Sequence, residues 1–359
     1  MFAKKNLVAA AALLALVGAA QAQSSVKLYG YLEAGVGSYK AVDGKSTTKV
    51  TSGDMMTSFI GFSGSEDLGG GLKAEFVLES FIGVDSGENV KNQAKQFWGR
   101  GSWVGLSGGF GKLAIGQYDT PLFVAGLSYN PFGSSMTYSP TMRHFYNLGS
   151  TQNAKITNLS KADTGWINSL TYETPNFAGF TGTLQFAPKE SSSGADSSSY
   201  TLGAAYNAGP LSAMVVYGDS GKTTPSINQV AADAYPTEFK YASFNASYDF
   251  GVAKAFGQYT TFKYGSDSLQ AVGDLTAIDK ASVWQLGVSV PVTASGTVLA
   301  SYGSAKYKQP GDDASDKIFS VAYDHALSKR TSAYTAFTTE KLSGFKGGRG
   351  LSVGVKHTF

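Results

Sequence analysis

The feature that most limits how this chain can fold is an alternation that repeats sixteen times. In residues 26–37, Val26, Leu28, Gly30, Leu32, Ala34 and Val36 share one face, while Lys27, Tyr29, Tyr31 and Glu33 share the other. Period two with one apolar and one polar face is a β-strand bordered by different media on its two sides. The same pattern returns at 59–64, 72–80, 97–106, 112–117, 166–174, 181–187, 200–207, 211–218, 238–248, 252–264, 281–290, 297–307, 317–324, 331–341 and 350–359. An even number of strands of about ten residues is the signature of a transmembrane barrel.

The connections carry a second regularity. One set is tight and built from Asn, Asp, Gly and Pro, as in Glu66–Gly71, Ser107–Gly111, Pro175–Phe180, Asn207–Pro210 and Asp249–Gly251. These residues supply turn geometry. The other set is longer and polar: 39–54, 83–94, 188–199, 219–237, 265–280, 308–316 and 342–349. Short turns at one rim and long loops at the other match the periplasmic and extracellular ends of an outer-membrane barrel.

One connection breaks the pattern. Residues 119–165 contain no convincing strand, and Pro121, Pro131 and Pro140 interrupt any ladder or helix. A loop of this length in a compact fold is functional or disordered. Leu122, Phe123, Val124, Leu127, Phe132, Tyr138, Phe145 and Tyr146 are too many apolar and aromatic groups to remain solvated. The expectation is an ordered loop folded inside a hollow wall.

Residues 1–22 stand apart. Lys4 and Lys5 precede an apolar run from Leu7 to Ala20, and Ala20-Gln21-Ala22 offers a small-x-small cleavage site. This reads as a cleaved secretory signal, with residues 23–359 as a single exported barrel domain. The chain has no cysteine, and without Lys4 and Lys5 its net charge is near zero, so no nucleic-acid partner is expected. The last strand sets Leu351, Val353, Val355, His357 and Phe359 on one face, with the aromatic end suited to a lipid interface.

Catalytic and metal motifs give little. Gly105-Leu106-Ser107-Gly108-Gly109 matches a nucleophile elbow by letter but lies between two strand patterns, where a hairpin turn is expected. Gly218–Thr223 is too short between its glycines for a phosphate loop. The histidines are His144, His325 and His357, without metal-ligand spacing. No cofactor, metal or catalytic residue is assigned. Three other readings stay open: a solute-selective channel, a plugged barrel used for adhesion, and a membrane-embedded hydrolase with His144 as base.

Several stretches resemble the Gram-negative trimeric general porins, closest to their beta-proteobacterial branch. They are Ser25–Gly30, Gly64–Ala74, Gly99-Arg100 with Val104–Gly108, Thr120-Pro121-Leu122 with Pro131-Phe132-Gly133, Asn168–Tyr172 and Lys356–Phe359. The resemblance implies an all-β, sixteen-stranded antiparallel transmembrane barrel in the outer membrane, with an inward-folded third extracellular loop. It implies a homotrimer set among outer-membrane lipid and lipopolysaccharide. It also implies passive diffusion of small hydrophilic solutes and ions.

Strand parity and the resemblance together give the expected pore lining: Tyr31, Phe59, Glu75, Arg100, Gln117, Asp119, Arg143 and His144. Lys73, Glu79 and Ser102 are assigned to the lumen and Trp103 to lipid. Of the arginine ladder usual in such porins, only Arg100 is kept; Phe59 and Gln117 stand where arginines are expected, and the loop has no acid between Pro121 and Ala162. The expected eyelet is weakly charged and aromatic, with mild anion preference or near neutrality.

Overall fold

The computed structural model describes residues 25–89, 96–147, 149–152, 155, 159–160, 164–190, 197–222, 238–265, 278–308 and 313–359. The signal segment 1–22 lies outside the described residues, as do parts of the long connections.

The chain forms one antiparallel sheet closed on itself. Its strands are β1 (Ser25–Lys40), β2 (Thr47–Ser52), β3 (Phe59–Gly69), β4 (Leu72–Phe81), β5 (Gly101–Gly108), β6 (Gly111–Asp119), β7 (Gly165–Glu173), β8 (Phe180–Ala187) and β9 (Ser199–Ala208). They continue with β10 (Leu211–Asp219), β11 (Phe239–Asp249), β12 (Lys254–Tyr264), β13 (Lys280–Pro291), β14 (Gly296–Lys308), β15 (Ala314–Ala326), β16 (Thr331–Leu342) and β17 (Gly348–Thr358). β1 pairs with β17 from Tyr31↔Thr358 to Lys40↔Arg349, which closes the barrel.

Among the described residues seventeen strands make sixteen staves, because β2 and β3 share one. The lower half of β1 pairs with β3 (Ser25↔Ser65 to Tyr31↔Phe59), and the upper half pairs with β2 (Ala34↔Ser52 to Tyr39↔Thr47). The stave is interrupted between Ser52 and Phe59. The stretch 39–54, expected to be loop, therefore contains a strand.

Exposure separates the two faces. Val26, Val104, Ile115, Val215, Phe244, Leu286, Leu351 and Val353 are all exposed on the outside. Alternating with them on neighbouring strands are buried Thr171, Gln185, Thr201, Gln258, Gln285, Ser301, Ser320 and Ser352. An apolar outside and a polar inside are the arrangement that lipid and water demand of a barrel wall. Among the described residues no helix is long and apolar enough to cross a membrane.

Local turn chemistry holds the short rim. Gly69, Gly70 and Gly71 adopt φ of +85°, +62° and +82°, which side-chain-bearing residues rarely do. At the seam, Gly30 and Phe359 exchange both backbone hydrogen bonds at 3.2 Å. The Phe359 ring lies where a Gly30 side chain would be, 2.5 Å from an added Cβ. That aromatic thus caps the closing strand pair.

Within 119–165 the described residues include two short helices that the sequence reading lacks, α1 (Pro121–Ser128) and α2 (Pro140–Tyr146). The prolines that read as breakers start them. Each sits in the first turn, where no intrahelical N–H bond is needed. Thr120 caps α1 by accepting from Phe123 N, and Ser139 caps α2 by accepting from Met142 N. Asn147 ends α2 in the left-handed conformation.

Candidate functional site: the loop, the broken stave and the inner wall

The segment between β6 and β7 is held by the polar face of the wall. Gln258 Nε2 donates to Ala125 O at 2.9 Å and Gly126 O at 3.0 Å. Thr141 N donates to Gln285 Oε1 at 2.7 Å, and Tyr264 Oη donates to Leu159 O at 2.7 Å. Leu122, Phe123, Met142, Phe145 and Tyr146 pack with Phe239, Tyr241, Phe262, Tyr264, Val283 and Tyr307 of the wall. A buried side chain of this size contributes about 1.5–3 kcal/mol.

Three prolines find matching gaps. A Cβ added to Gly203 would lie 3.0 Å from Pro121 Cβ, one on Gly287 would lie 2.5 Å from Pro131 Cδ, and one on Gly303 would lie 2.6 Å from Pro140 Cβ. Only glycine leaves room for these rings.

A buried ion pair and a buried histidine–carboxylate contact hold α2. Arg143 bonds Glu340 and also reaches Thr151 O at 3.4 Å. His144 Nδ1 lies 3.4 Å from Asp316 Oδ2. Both acids come from the wall, on β16 and β15. By sequence Arg143 is a candidate pore charge; its partner lies 197 positions away, where no local pattern marks it.

The break in the second stave is filled by two acids. Glu33 accepts from Met55 N at 2.9 Å, Met56 N at 3.0 Å, Tyr334 Oη at 2.7 Å and Tyr31 Oη at 3.1 Å. Its carboxylate replaces the ladder partners that 53–58 lacks. Asp54 then ties the break to the long loop. It accepts from Thr137 Oγ1 at 3.1 Å, Ser150 Oγ at 2.6 Å and Thr51 Oγ1 at 2.8 Å, and from Tyr39 Oη. Neither acid was singled out for this role from sequence, because the role exists only where the strand is broken.

A second group lines β1 and β3–β7. Arg100 pairs with Glu79, and its guanidinium carbon stands 3.9 Å from the centre of the Phe59 ring. Tyr29 donates to Glu79 at 2.6 Å and meets Phe59 edge-on. Lys112 pairs with Glu173 at 2.8 Å, and its ammonium is 5.2 Å from the Trp103 ring and 5.0 Å from that of Tyr118. Arg100, Tyr29, Trp103, Lys112 and Tyr118 are only partly buried.

These positions revise part of the expected lining. Phe59 lies against Arg100, and Tyr31 stands opposite Phe59 in the β1–β3 register, with its hydroxyl on Glu33. Trp103, assigned to lipid, packs against Tyr118 at 5.3 Å on the polar side, while Ser102 shares the parity of exposed Val104 and Leu106. Gln117 and Asp119 share the parity of exposed Ile115, and Gln117 Nε2 bonds Gly99 O at 2.8 Å. They lie on the side opposite Tyr118. Glu75 is on the inner parity but four residues from Glu79, about 13 Å nearer the short turns. Glu75 therefore does not oppose Arg100 at the same height. Among the described residues no cluster of His, Asp or Glu could hold a metal ion.

Comparisons with known proteins agree with this architecture. The profile of the Gram-negative porins matches residues 9–344. Outer membrane porin protein 32 of Delftia acidovorans is 34% identical, over 99% of this chain and 100% of that protein. Major outer membrane protein P.IB of Neisseria gonorrhoeae is 31% identical, over 92% of this chain and 91% of that protein. Among solved structures, an anion-selective porin from Comamonas acidovorans superposes with a TM-score of 0.75 at 30% identity, covering 94% of this chain and all of that one. A closed barrel with an apolar exterior and a hydrogen-bonded polar interior, matched over nearly its whole length by such relatives, belongs to the Gram-negative porin family and forms a passive channel in the outer membrane.

Proposed function

We propose that the segment 119–165 crosses the lumen and narrows it, leaving a path along β3–β7 that is aromatic and close to neutral. The observation that carries this reading is the pairing of inner charges. Each arginine expected at the eyelet meets an acid: Arg100 with Glu79 and Arg143 with Glu340. Lys112 meets Glu173, and Lys356 meets Asp324. Paired charges project little field, so such a pore sorts small hydrophilic solutes and ions mainly by size. The partly buried rings of Tyr29, Trp103 and Tyr118, with Phe59 buried beside Arg100, favour neutral or aromatic solutes over small anions.

No covalent step belongs to this reading. His144, the best base in sequence, is buried against Asp316, and its Nε2 has no hydrogen-bond partner among the described residues. A homotrimer completes the proposal. Exposed Val26 and Leu28 on β1 and Leu351, Val353 and Val355 on β17 offer an apolar wall for a neighbouring copy.

Single-channel recording of the wild type and of a chain lacking most of 124–158 tests the constriction. The deletion is expected to raise conductance with the barrel intact, and unchanged conductance would place the segment outside the current path. Native mass in mild detergent is expected to show three copies. A stable monomer there would remove the trimer from the proposal.

A further inference from the structure

A cavity of about 300 Å³ opens in the inner wall beside the short turn that joins β15 to β16. Tyr31, Thr297, Asp324, Ser332, Lys356 and Thr358 line it from β1 and β14–β17, and all six lie on the inner parity. The turn adds Lys329 and Arg330. Thr358 N donates to Arg330 O at 2.9 Å, which ties the turn to the end of β17. Ligand pockets span about 300–1,000 Å³, so this one suits a small solute.

Lys356 Nζ donates to Asp324 Oδ2 at 2.5 Å. The two side chains are 19% and 24% exposed, so the pair is reachable from the lumen. It is not saturated. An ammonium has three donors and a carboxylate about four acceptor positions, and their mutual bond uses one of each. Asp324 Oδ1 has no hydrogen-bond partner among the described residues. Asp324 is the one acid among the described residues that line the cavity, against Lys356, Lys329 and Arg330. Glu33, opposite Lys356 in the register, is buried and accepts from Met55, Met56 and Tyr334. His357 lies on the outer parity, with its Nδ1 on Thr331 Oγ1 at 2.9 Å.

These charges discriminate among solutes. A small cation meets Asp324 but also faces three cations. A small anion meets the cations but also faces the carboxylate. A neutral polyol compensates neither. A solute with both charges close together lies antiparallel to the wall pair, its ammonium beside Asp324 and its carboxylate on the side of Lys356 and Arg330. We propose that this cavity is a binding subsite for free α-amino acids in their zwitterionic form, with Thr297, Ser332 and Thr358 offering hydroxyls and Tyr31 a ring for the solute's side chain. Exposed charge contacts are individually weak, which suits a channel, because the bound solute has to leave again. The subsite rests on the near-neutral channel reading but not on the path of 119–165.

The test is saturation-transfer NMR on the full-length protein in mild detergent, reading methyl signals. The probes are L-alanine, acetate, methylamine and propane-1,2-diol, which carry both charges, one charge of either sign, and none. Alanine is expected to give saturable transfer, with the other three weaker by about fivefold or more. Asp324→Asn is expected to weaken alanine by a similar factor and to let acetate overtake it, a reversal that a merely structural role for Asp324 does not produce. Lys356→Gln is expected to weaken alanine as well, and it carries the test if Asp324→Asn fails to fold by unheated gel migration. Lys263→Gln, on the exposed outer face of β12, is the control and should match wild type. Unchanged alanine binding in the folded variants would overturn the subsite. Acetate equal to alanine in wild type would also overturn it, in favour of a plain anion site, and propane-1,2-diol equal to alanine would mean non-specific contact. The readout is binding rather than current. A failed subsite therefore leaves the conductance tests of the pore standing, and a failed pore reading shows in those tests alone.

Discussion

Pro140 rests against Gly303 so closely that a Cβ on the glycine would lie 2.6 Å from the Cβ of the proline. Gly303 lies in the middle of β14, where a glycine weakens a strand unless something needs the space. The ring that starts α2 needs it.

Gly303→Ala is therefore expected to be costly where an exposed-face glycine is not. Overpacking a tight contact costs about 1–3 kcal/mol. The heat-denaturation midpoint of the folded form should fall, and single-channel current should become noisier as α2 loses its seat. Gly257→Ala is the control, since its nearest neighbour would be Leu286 Cδ2 at 3.6 Å. Equal behaviour of the two variants would show that Pro140 is not held by this contact.

Arg143 and Glu340 should behave as a unit. Removing one member of a buried pair leaves a charge without its partner, at a cost of about 3–5 kcal/mol. Arg143→Met and Glu340→Leu are each expected to lower stability by that order. The double substitution should recover much of the loss, because apolar side chains of similar volume often replace a buried pair without penalty. A double-mutant cycle on thermal or denaturant midpoints measures this. Strictly additive losses would mean that the two side chains do not interact.

Glu33→Gln tests the broken stave. The carboxylate accepts from two backbone amides and two tyrosines, and a carboxamide has one acceptor oxygen for them. Each buried donor left without a partner costs about 1–3 kcal/mol. Faster amide exchange at Met55 and Met56 and earlier proteolysis between Gly53 and Ser58 are expected. Unaltered exchange there would show that the backbone supports itself.

Phe59→Arg and Gln117→Arg separate the two faces. Position 59 adjoins Arg100, so a new cation there should move the zero-current potential under a potassium chloride gradient toward anion selectivity. The Debye length of about 8 Å at physiological salt leaves such a charge only partly screened across a narrow pore. Gln117 lies on the other parity, so Gln117→Arg should leave the potential near wild type. A shift from position 117 equal to that from position 59 would put both in the current path.

The strands were legible because each one separates two media, and that leaves a mark at every second residue. β2 escaped because its stave is broken, and neither half of 39–54 carries a full alternation. The helices escaped because Pro121, Pro131 and Pro140 were read as interruptions, whereas two of them occupy first-turn positions with Thr120 and Ser139 as caps. Trp103 was misassigned because a lone aromatic suits a lipid belt as well as a lumen. Its contacts with Tyr118 and Lys112 and the opposite parity of exposed Val104 and Leu106 distinguish them. The ion pairs were out of reach: Arg143 and Glu340 share no local pattern, and only closure of the wall brings them together.

The anchors of the loop imply an order of events. Pro121, Pro131 and Pro140 meet residues on β9, β13 and β14, and Arg143 and His144 meet β16 and β15. Tyr138 bonds Ser352, a separation of 214 positions. Contacts this distant in sequence form late, after the loop-closure entropy has been met. A barrel built from its first strands onward lacks part of these seats until the last staves are in place. The seated segment thus reports completion. The same closure that joins β17 to β1 brings Ser352 to Tyr138 and so supplies the last of these anchors.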